Sequence, residues 1–222
     1  MTISAEYRWR QRLVVMAKEP RPGRVKTRLG RDIGMGAAAH WFRQQSLSLL
    51  HRLHDPRWEI ILAVAPDREG MASRVWPAEF RRAPQGRGDL GARMKRQLCH
   101  GLPGPTLVIG ADIPCIRKHH IAEAFRALGD HDAVFGPAMD GGYWLVGLKH
   151  ARAPATLFQG VRWSSEHALA DSIATLPHHR IATVATLRDI DTAADLLLSF
   201  SGNTPGVKFE NLSIFERGGS AP

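Results

Sequence analysis

Cysteine is scarce in this sequence, and long apolar runs are absent. Only two cysteines, Cys99 and Cys115, occur among its 222 residues, and they lack the spacing of a metal-binding or redox motif. We expect both to be reduced thiols in a cytoplasmic protein, because disulfides persist mainly in oxidising compartments. No stretch approaches the roughly 18 apolar residues that a membrane-spanning helix needs. The N-terminal residues have charges and no small-residue cleavage site, so a secretory signal is not expected either.

Several motifs with known chemistry are also missing. No segment has the Gly-x-x-x-x-Gly-Lys-Ser/Thr spacing of a P-loop, and neither a Gly-x-Ser-x-Gly elbow nor a cysteine nucleophile motif occurs. The histidine pairs at 119–120 and 178–179 lack the i,i+4 spacing of a metal pair on a helix. Zinc-finger and RNP-type aromatic motifs are lacking as well. These absences count against P-loop nucleotide hydrolases, serine and cysteine hydrolases, and the common nucleic-acid-binding modules.

The formal net charge is +9, and it is unevenly distributed. Residues 1–31 contain nine Lys or Arg and two acidic residues, and residues 81–96 contain six and one. Both segments lie in or near predicted loops, which is typical of a confined pocket for a polyanion such as a phosphate chain. An exposed basic face for nucleic acid would spread its charge more widely. We therefore expect a small phosphorylated partner, with nucleic acid as the weaker alternative.

Strand and helix patterns alternate along the chain. Apolar runs predict strands, whereas one-sided apolar spacing or a capping residue predicts helices. The predicted strands cover 13–17, 59–66, 106–114, 132–138, 143–148 and 179–184. The predicted helices cover 35–53, 89–102 with Asp89 as N-cap, 121–128 with a stop at Gly129, 163–176 with Ser164 or Ser165 as N-cap, and a last one from Asp189. This order favours an α/β fold with a mainly parallel sheet covered on both faces.

The chain is expected to form one domain followed by a tail. No linker-like composition interrupts residues 13–200, so the domain is expected to cover 1–200. Residues 201–222 are rich in Gly, Ser, Pro and Asn and should pack loosely. The segment KFENLSIF within them could pair as an edge strand or join an oligomer contact.

The segment KEPRPGRVKTR directly follows the first predicted strand and is strongly basic. In an open α/β sheet, ligands bind at the carboxyl ends of the parallel strands. Lys18, Lys26 and Arg28 can supply charge there, and arginine can grip a phosphate with two N–H groups. Gly23 follows Pro22 in a predicted turn and lets backbone amides approach a ligand. The segment predicts a phosphate-binding loop; a solvated charged loop is the alternative.

Two further predicted strand ends have carboxylates. Asp112 follows an apolar strand, and a lone carboxylate there can hold Mg²⁺, which takes its other ligands from water and phosphate. Asp189 and Asp191 lie at the end of the last predicted strand, and either can instead cap the helix that follows. If Asp191 faces Asp112, the pair completes a Mg²⁺ or Mn²⁺ site. A capping role for Asp112 is the alternative.

Two glycine-containing loops offer further contacts. In PQGRGDLGARM, the Gln85 amide can read a nucleobase edge and Gly88 allows close backbone approach, unless this is an ordinary flexible loop. In MDGGYWLVGL, the glycines fit a turn before a core strand, and Asp140 lies beside them. We interpret this second loop as the acceptor side of the site, with a simple turn as the alternative.

Six ordered motifs carry a family resemblance. KEPRPGRVKTRL, QGRGDLGARM, GADIP, DGGYWLVGL, VRWSSEHAL and DIDTAADL occur in this order between about Val14 and Leu198. Together they resemble the radical-SAM/selenodomain-associated transferase 1 family of the nucleotide-diphospho-sugar transferase superfamily. The chain is more distantly similar to 2-phospholactate guanylyltransferase, which has a comparable Lys-Thr-Arg-Leu loop. The resemblance implies a single-domain GT-A fold, a mostly parallel sheet flanked by helices on both faces.

The resemblance also implies roles for particular residues. Lys26 and Arg28 would grip the phosphates, Gln85 and Gly88 would lie near the base, and Asp112 would hold the metal. DIDTAADL is similar to the late Asn-x-Asn-Thr-Pro-Glu-Asp segment of molybdenum-cofactor nucleotidyltransferases, which suggests a second metal ligand. That ligand would be Asp191 in this sequence, although Ala193 and Ala194 replace the Pro-Glu of that segment.

These observations predict a Mg²⁺-dependent transferase that uses a nucleotide. We favour nucleotidyl transfer from an NTP to a small anionic acceptor, because the basic loop suits a triphosphate and GADIP has one Asp where many glycosyltransferases have Asp-x-Asp. In this reading Lys26 and Arg28 are catalytic through charge. The alternative is sugar transfer from a nucleotide-sugar, with Asp140 positioning or deprotonating the acceptor hydroxyl. A non-catalytic nucleotide- or RNA-binding module is the third hypothesis.

Overall fold

A seven-stranded sheet forms the centre of the molecule. The computed structural model describes residues 10–99, 103–188 and 192. Its strands are β1 (Gln11–Lys18), β2 (Trp58–Ala65), β3 (Arg81–Pro84), β4 (Thr106–Gly110), β5 (Ala133–Pro137), β6 (Tyr143–Leu148) and β7 (Ile181–Thr183). Its helices are α1 (Thr27–Ile33), α2 (Met35–Leu53), α3 (Asp67–Ala72), α4 (Leu90–Cys99), α5 (Lys118–Asp130) and α6 (Ala168–Ala174).

Both faces of the sheet are buried, as the continuous apolar runs predict. Along β1, Leu13 and Val15 belong to one hydrophobic cluster with side chains from α2 and α5. Val14, between them, belongs to a second cluster with Met94 and Leu98 of α4. Successive strand residues point to opposite faces, so a strand buried on both sides reads as uniformly apolar. The predicted α/β class, with helices on both faces of a mostly parallel sheet, is confirmed.

The strand order is β3-β2-β1-β4-β6-β5-β7. Every neighbouring pair is parallel except β4–β6 and β5–β6, so β6 alone among these strands runs in the opposite direction. The carboxyl ends of six strands therefore share one edge of the sheet with the start of β6. We call this the carboxyl edge.

Three local expectations differ from the structure. The helix expected to stop at Gly129 continues to Asp130, where an extended His131 ends it. The helix expected from Trp163 begins only at Ala168, because Ser164 adopts a left-handed conformation (φ 58°) that interrupts helical geometry. Neither Ser164 nor Ser165 is its N-cap. The prediction that Asp89 caps α4 is confirmed, since its Oδ1 accepts a hydrogen bond from the Ala92 N–H at 2.8 Å.

Some predictions lie outside the described residues. Asp189, Asp191 and the tail at 201–222 are among them, so the domain boundary and the second metal ligand stay predictions. Within the described residues, no helix is long and apolar enough to cross a membrane. Cys99 and Cys115 are both half-buried free thiols.

Candidate active site

Hydrogen bonds between neighbouring strand ends draw the loops of the carboxyl edge together. The Glu19 N–H, just after β1, donates to the Ala65 carbonyl at the end of β2 over 2.7 Å. The Ala111 N–H, just after β4, donates to the Met16 carbonyl of β1 over 3.2 Å. The segments that leave β1, β2 and β4 are thus fixed side by side, although about 50 residues separate each from the next.

A lysine and an aspartate face each other across this edge. The Lys26 ammonium lies 2.8 Å from Asp112 Oδ2, and the two side chains are 6% and 36% exposed. Lys26 follows β1 and Asp112 follows β4, its neighbour in the sheet. The structure therefore brings together two of the segments that the sequence placed at strand ends. The pair leaves Asp112 partly open to solvent while the ammonium is almost fully buried.

The backbone of Lys26 has an unusual conformation at the start of α1. Lys26 has left-handed dihedrals (φ 44°, ψ 50°) and is the N-cap of α1. Its carbonyl accepts a hydrogen bond from the Gly30 N–H at 2.8 Å, and the preceding Val25 is buried in the core. A left-handed non-glycine residue costs about 1–2 kcal/mol, so the surrounding packing must hold it. Such strain is characteristic of functional sites.

Two of the five cations of the basic segment share one carboxylate within the protein. Arg21 Nη2 and Arg24 Nη1 lie 3.2 Å and 3.7 Å from the Glu69 carboxylate of α3. Glu69 was not among the predicted site residues. Its position shortly after β2 could have indicated it, because β2 ends at the same edge. The phosphate-binding charge of this loop is consequently smaller than its composition suggests.

Two other cations of this segment, Lys18 and Arg28, are exposed. Lys18 is exposed at the end of β1 and has no carboxylate partner among the described residues. Arg28 is exposed on α1. Gly23 is exposed in the turn between them, with φ +74° and nothing within 4 Å of the Cβ that it lacks. The space around Gly23 is open, and the predicted phosphate-binding roles of Lys18, Gly23 and Arg28 stay predictions.

Gln85 is a structural link as well as a predicted base contact. Its side chain is buried, and Nε2 donates to the carbonyls of Ala17 and Ala63 at 3.1 Å and 2.9 Å. Both amide N–H groups are therefore used to join the ends of β1, β2 and β3. Any contact with a base would involve its Oε1. The predicted role near the base remains untested.

The loop after β3 is shaped by arginines of α4. Arg93 Nε donates to the Gly88 carbonyl at 2.9 Å, and Arg96 donates to the carbonyls of Gln85 and Arg87 at 2.6 Å and 3.0 Å. Gly88 has φ +109°, and a Cβ there would lie 2.7 Å from the Ala92 Cβ. The Arg87 side chain is exposed and has no partner among the described residues. Arg87 was not among the residues predicted for the site, and it adds a cation to this edge.

Asp140 lies in the tight β5–β6 turn. It is exposed, and its Oδ1 accepts a hydrogen bond from the Gly142 N–H at 2.9 Å. Gly141 has φ +83°, and a Cβ at this position would collide with the backbone of Glu166. The Gly141 carbonyl accepts the Leu169 N–H at 3.0 Å. Asp140 therefore shapes its turn, and its predicted acceptor role stays a prediction.

Tyr143 begins β6 beside this turn, and it is unsuited to proton transfer. Burial raises the pKa of its phenol, and the Ser172 hydroxyl donates to it at 3.2 Å. The phenol is therefore neutral at physiological pH. Asp140 and Asp112 remain the exposed or half-exposed carboxylates predicted for this edge.

Asp112 fits a metal that is completed by substrate. Its Oδ1 has no hydrogen-bond partner among the described residues, while Oδ2 accepts from Lys26. A Cβ on Gly110 would lie 2.8 Å from Oδ1, so the glycine leaves room for the carboxylate. No group of three or more His, Cys, Asp or Glu gathers elsewhere among the described residues. This donor set suits Mg²⁺ bound by few carboxylates, phosphate and water.

Comparison with known proteins supplies a family. The family model DUF2064, described as an uncharacterized protein conserved in bacteria, matches residues 47–165. This range includes Gln85, Gly88, Asp112 and Asp140, whereas the basic loop precedes it. Comparison with curated proteins gives no match. The more specific radical-SAM/selenodomain-associated family is not identified by these comparisons.

Solved structures resemble the chain over most of its length. One is a protein from Desulfovibrio desulfuricans G20, provisionally named a nucleotide-diphospho-sugar transferase, with 27% identity and a TM-score of 0.77 over 88% of this chain and 89% of that one. Another is 4-diphosphocytidyl-2C-methyl-D-erythritol synthase from Anaerococcus prevotii DSM 20548, with 11% identity and a TM-score of 0.56 over 87% and 97%. A third is Rv0371c from Mycobacterium tuberculosis H37Rv, a manganese complex, with 15% identity and a TM-score of 0.51 over 86% and 97%. The last two share the fold alone.

Proposed function

The chain belongs to the DUF2064 family, and for this member we propose a nucleotide-utilising transferase activity that depends on Mg²⁺ or Mn²⁺. The observation that carries the proposal is the contact of Lys26 with Asp112 at the carboxyl edge. Ligands of open α/β sheets bind at this edge. A cation in contact with a half-exposed carboxylate suits a metal-bound phosphate chain. The cation can face the negative phosphate oxygens, and the carboxylate can face the positive metal ion.

Each residue of the edge has a distinct proposed task. Asp112 would hold the divalent cation, which polarises phosphoryl oxygens when bound. Lys26 fixes the Asp112 carboxylate, and its positive charge would stabilise phosphate oxygens bound beside it. Lys18, Arg28 and Arg87 would bind phosphates around it, with Gly23 allowing close backbone approach. Charge stabilisation and positioning are the main protein contributions to this class of reaction.

We favour nucleotidyl transfer from an NTP to a small anionic acceptor. An acceptor oxygen would attack the α-phosphorus, and pyrophosphate would leave with the electrons of the broken P–O bond. The exposed cations Lys18 and Arg87, with Arg28 on α1, would add positive charge around a triphosphate donor and a charged acceptor. Gln85 and Gly88 would lie near the base, and Asp191, outside the described residues, would complete the metal site.

Sugar transfer from a nucleotide-sugar is the second candidate. The similarity to the provisionally named sugar transferase of D. desulfuricans, at 27% identity, favours it. In this case the exposed Asp140 would orient or deprotonate the acceptor hydroxyl. Because Asp140 Oδ1 already shapes its turn, its Oδ2 would have to face the acceptor. A non-catalytic nucleotide- or RNA-binding module is the third candidate and requires no metal.

The deciding experiment measures pyrophosphate release. The protein is incubated with Mg²⁺, each NTP in turn and a panel of phosphorylated or carboxylated acceptors. We expect acceptor-dependent pyrophosphate with one NTP and its loss in Asp112→Ala. Asp130→Ala, which removes an exposed carboxylate at the end of α5, is the matched control and should be active.

Other outcomes separate the candidates. Release of a nucleoside diphosphate from a nucleotide-sugar, with no pyrophosphate from any NTP, would replace the first candidate by the second. Binding of Mg-nucleotide by Asp112→Ala as tightly as by the wild type would refute the metal assignment. A steep salt dependence of RNA affinity without turnover would support the third candidate.

A further inference from the structure

A second basic site lies away from the carboxyl-edge residues, between the end of α2 and the first half of α5. A cavity of about 780 Å³ opens there. Its charged lining consists of five cations and one carboxylate: Arg52, Arg57, Arg117, Lys118, Arg126 and Glu123. None of these residues was assigned to the carboxyl-edge site. We call this the α2–α5 cavity.

Two of these cations have a carboxylate partner among the residues that the structure describes. Arg57 forms a two-pronged contact with Asp55, at 2.8 Å from Nε and 3.0 Å from Nη2. Lys118 Nζ lies 3.8 Å from the same carboxylate. One aspartate, Asp55, is therefore shared between two cations, and it does not neutralise the rest of the lining.

The other three guanidinium groups have no ion pair among the described residues. Arg52 donates to the Ile116 carbonyl at 3.0 Å and to the Ser48 hydroxyl at 3.3 Å. Arg117 donates to the carbonyls of Pro114 and Ile116 at 2.7 Å and 3.2 Å. Arg126 is exposed on α5 and has no hydrogen-bond or ion-pair partner in the described part of the chain. These neutral contacts orient the side chains and leave their charges uncompensated.

The arrangement has an energetic cost that an anion would relieve. Burial, together with the charge of Arg117, lowers the pKa of Arg52 to about 10, so the guanidinium is still charged at neutral pH. Its Nη2 is buried and makes no hydrogen bond within the described residues. Like charges held close together destabilise the fold unless an opposite charge is bound.

We propose that the α2–α5 cavity binds a small polyanion with two or more phosphate groups. An arginine side chain can bind two phosphate oxygens at once. Three arginines without an ion pair among the described residues line the cavity. Its volume is within the range of small-molecule sites, about 300–1,000 Å³, and exceeds what one phosphate fills. The lining has a single apolar residue, Ala122, which does not favour an apolar ligand. A small phosphorylated ligand can lie within this one cavity, whereas a nucleic acid would extend beyond it.

The test uses sodium tripolyphosphate as the probe and nuclear magnetic resonance as the readout. The full ¹⁵N-labelled chain is titrated in metal-free buffer, and backbone amide signals of α5 report binding at this place specifically. We expect a saturable shift of these signals. Arg126→Glu should weaken the dissociation constant taken from them by about tenfold or more, whereas Arg126→Lys should largely retain it.

Two further variants make the result specific. Arg43→Glu reverses an equally exposed arginine on α2 outside the cavity, with the same change in net charge, and should retain the affinity. Arg28→Glu alters the carboxyl edge and should leave the α5 shifts unchanged, so the result does not depend on the proposed transferase. Circular dichroism melting confirms that each variant is folded.

Three outcomes would overturn the proposal. The first is that the α5 signals do not respond to tripolyphosphate, or shift without saturation. Arg43→Glu and Arg126→Glu could weaken binding equally, which would show a net-charge effect. A single-stranded RNA oligonucleotide that shifts the α5 signals at lower concentration than tripolyphosphate would instead assign the surface to nucleic acid.

Discussion

The Lys26 ammonium is buried against Asp112 Oδ2 at 2.8 Å, whereas the Asp112 side chain keeps about a third of its surface exposed. The two partners therefore respond differently to removal of the other. A half-exposed carboxylate regains water when its cation is lost, but a buried ammonium has no such replacement.

This asymmetry predicts unequal effects on stability. Asp112→Ala should lower the free energy of unfolding by about 1–3 kcal/mol, because the buried Lys26 ammonium loses the carboxylate that lies 2.8 Å away. Lys26→Met keeps the side-chain length and should cost less than about 1 kcal/mol, as for exposed ion pairs. Urea denaturation of both variants measures the difference. Equal losses would mean that Lys26 reaches water when Asp112 is absent.

Gly110→Ala should damage the site while sparing the fold. The new Cβ would lie 2.8 Å from Asp112 Oδ1 and displace the carboxylate. We expect Mg-nucleotide affinity to fall by about tenfold with little change in melting temperature. Calorimetric titration and thermal unfolding measure the two effects.

Gly129→Ala is the matched control for that variant. Nothing lies within 4 Å of its Cβ position inside α5, so it should stabilise the helix by up to about 1 kcal/mol and leave binding unchanged. Loss of binding in both variants, or a large loss of stability in Gly110→Ala, would contradict the local explanation.

Gly141→Ala should destabilise the turn that contains Asp140. Its φ of +83° disfavours a side chain, and the Cβ would also collide with the Glu166 backbone. Gly160→Ala shares the left-handed conformation (φ +71°) but has nothing within 4 Å, so it should cost only about 1 kcal/mol. A greater loss of stability for Gly141→Ala isolates the collision. Similar losses in both variants would show that the segment 162–171, which contains Glu166, moves to relieve the collision.

Acid should destabilise the protein through His120. Burial, with a smaller effect of His119, holds the pKa of His120 below its ordinary value of 6.5. The Arg117 N–H donates to His120 Nδ1 at 3.1 Å, which requires the unprotonated nitrogen. Because the folded state binds this proton less tightly than the unfolded state, the contribution is present above about pH 6.5 and is lost as the pH falls through the lower, folded-state pKa.

His120→Gln should make stability less dependent on pH over this range. Glutamine at the third helical position can still accept the N-cap N–H but does not titrate. Urea denaturation at about pH 7.5 and about pH 5.5 should show a smaller difference for this variant than for the wild type. His40→Gln, at an exposed position of α2, serves as control. An unchanged pH dependence in His120→Gln would assign the effect to other groups.

The sequence predicted the elements that have strong apolar patterns and missed those that do not. The strands through Val14, Leu62 and Leu107 are apolar on both faces, so their burial was readable. β3 is a short edge strand with the sequence RRAP, and its two arginines lack the apolar pattern that predicts a strand. α1 has seven residues and begins after a left-handed Lys26, which no helix-start rule anticipates.

The site was predictable in its location more than in its contacts. Topology alone places Asp112 and the basic segment at one edge, because parallel strands end together. The contacts of Arg21 and Arg24 with Glu69 depend on how α3 packs. The buried Gln85 side chain is hydrogen-bonded to strand carbonyls. Such partners are set by tertiary structure, which local patterns do not contain.

The short segment 111–117 joins the carboxyl edge to the α2–α5 cavity. Asp112, near its start, belongs to the carboxyl edge, and Arg117, at its end, lines the α2–α5 cavity. Arg52 and Arg117 both hold the carbonyl of Ile116 between them. Because five peptide bonds join Asp112 to Arg117, we expect a ligand that displaces one end of this segment to affect the other end. By thermodynamic reciprocity, any change in affinity that one site imposes on the other is returned by the same factor.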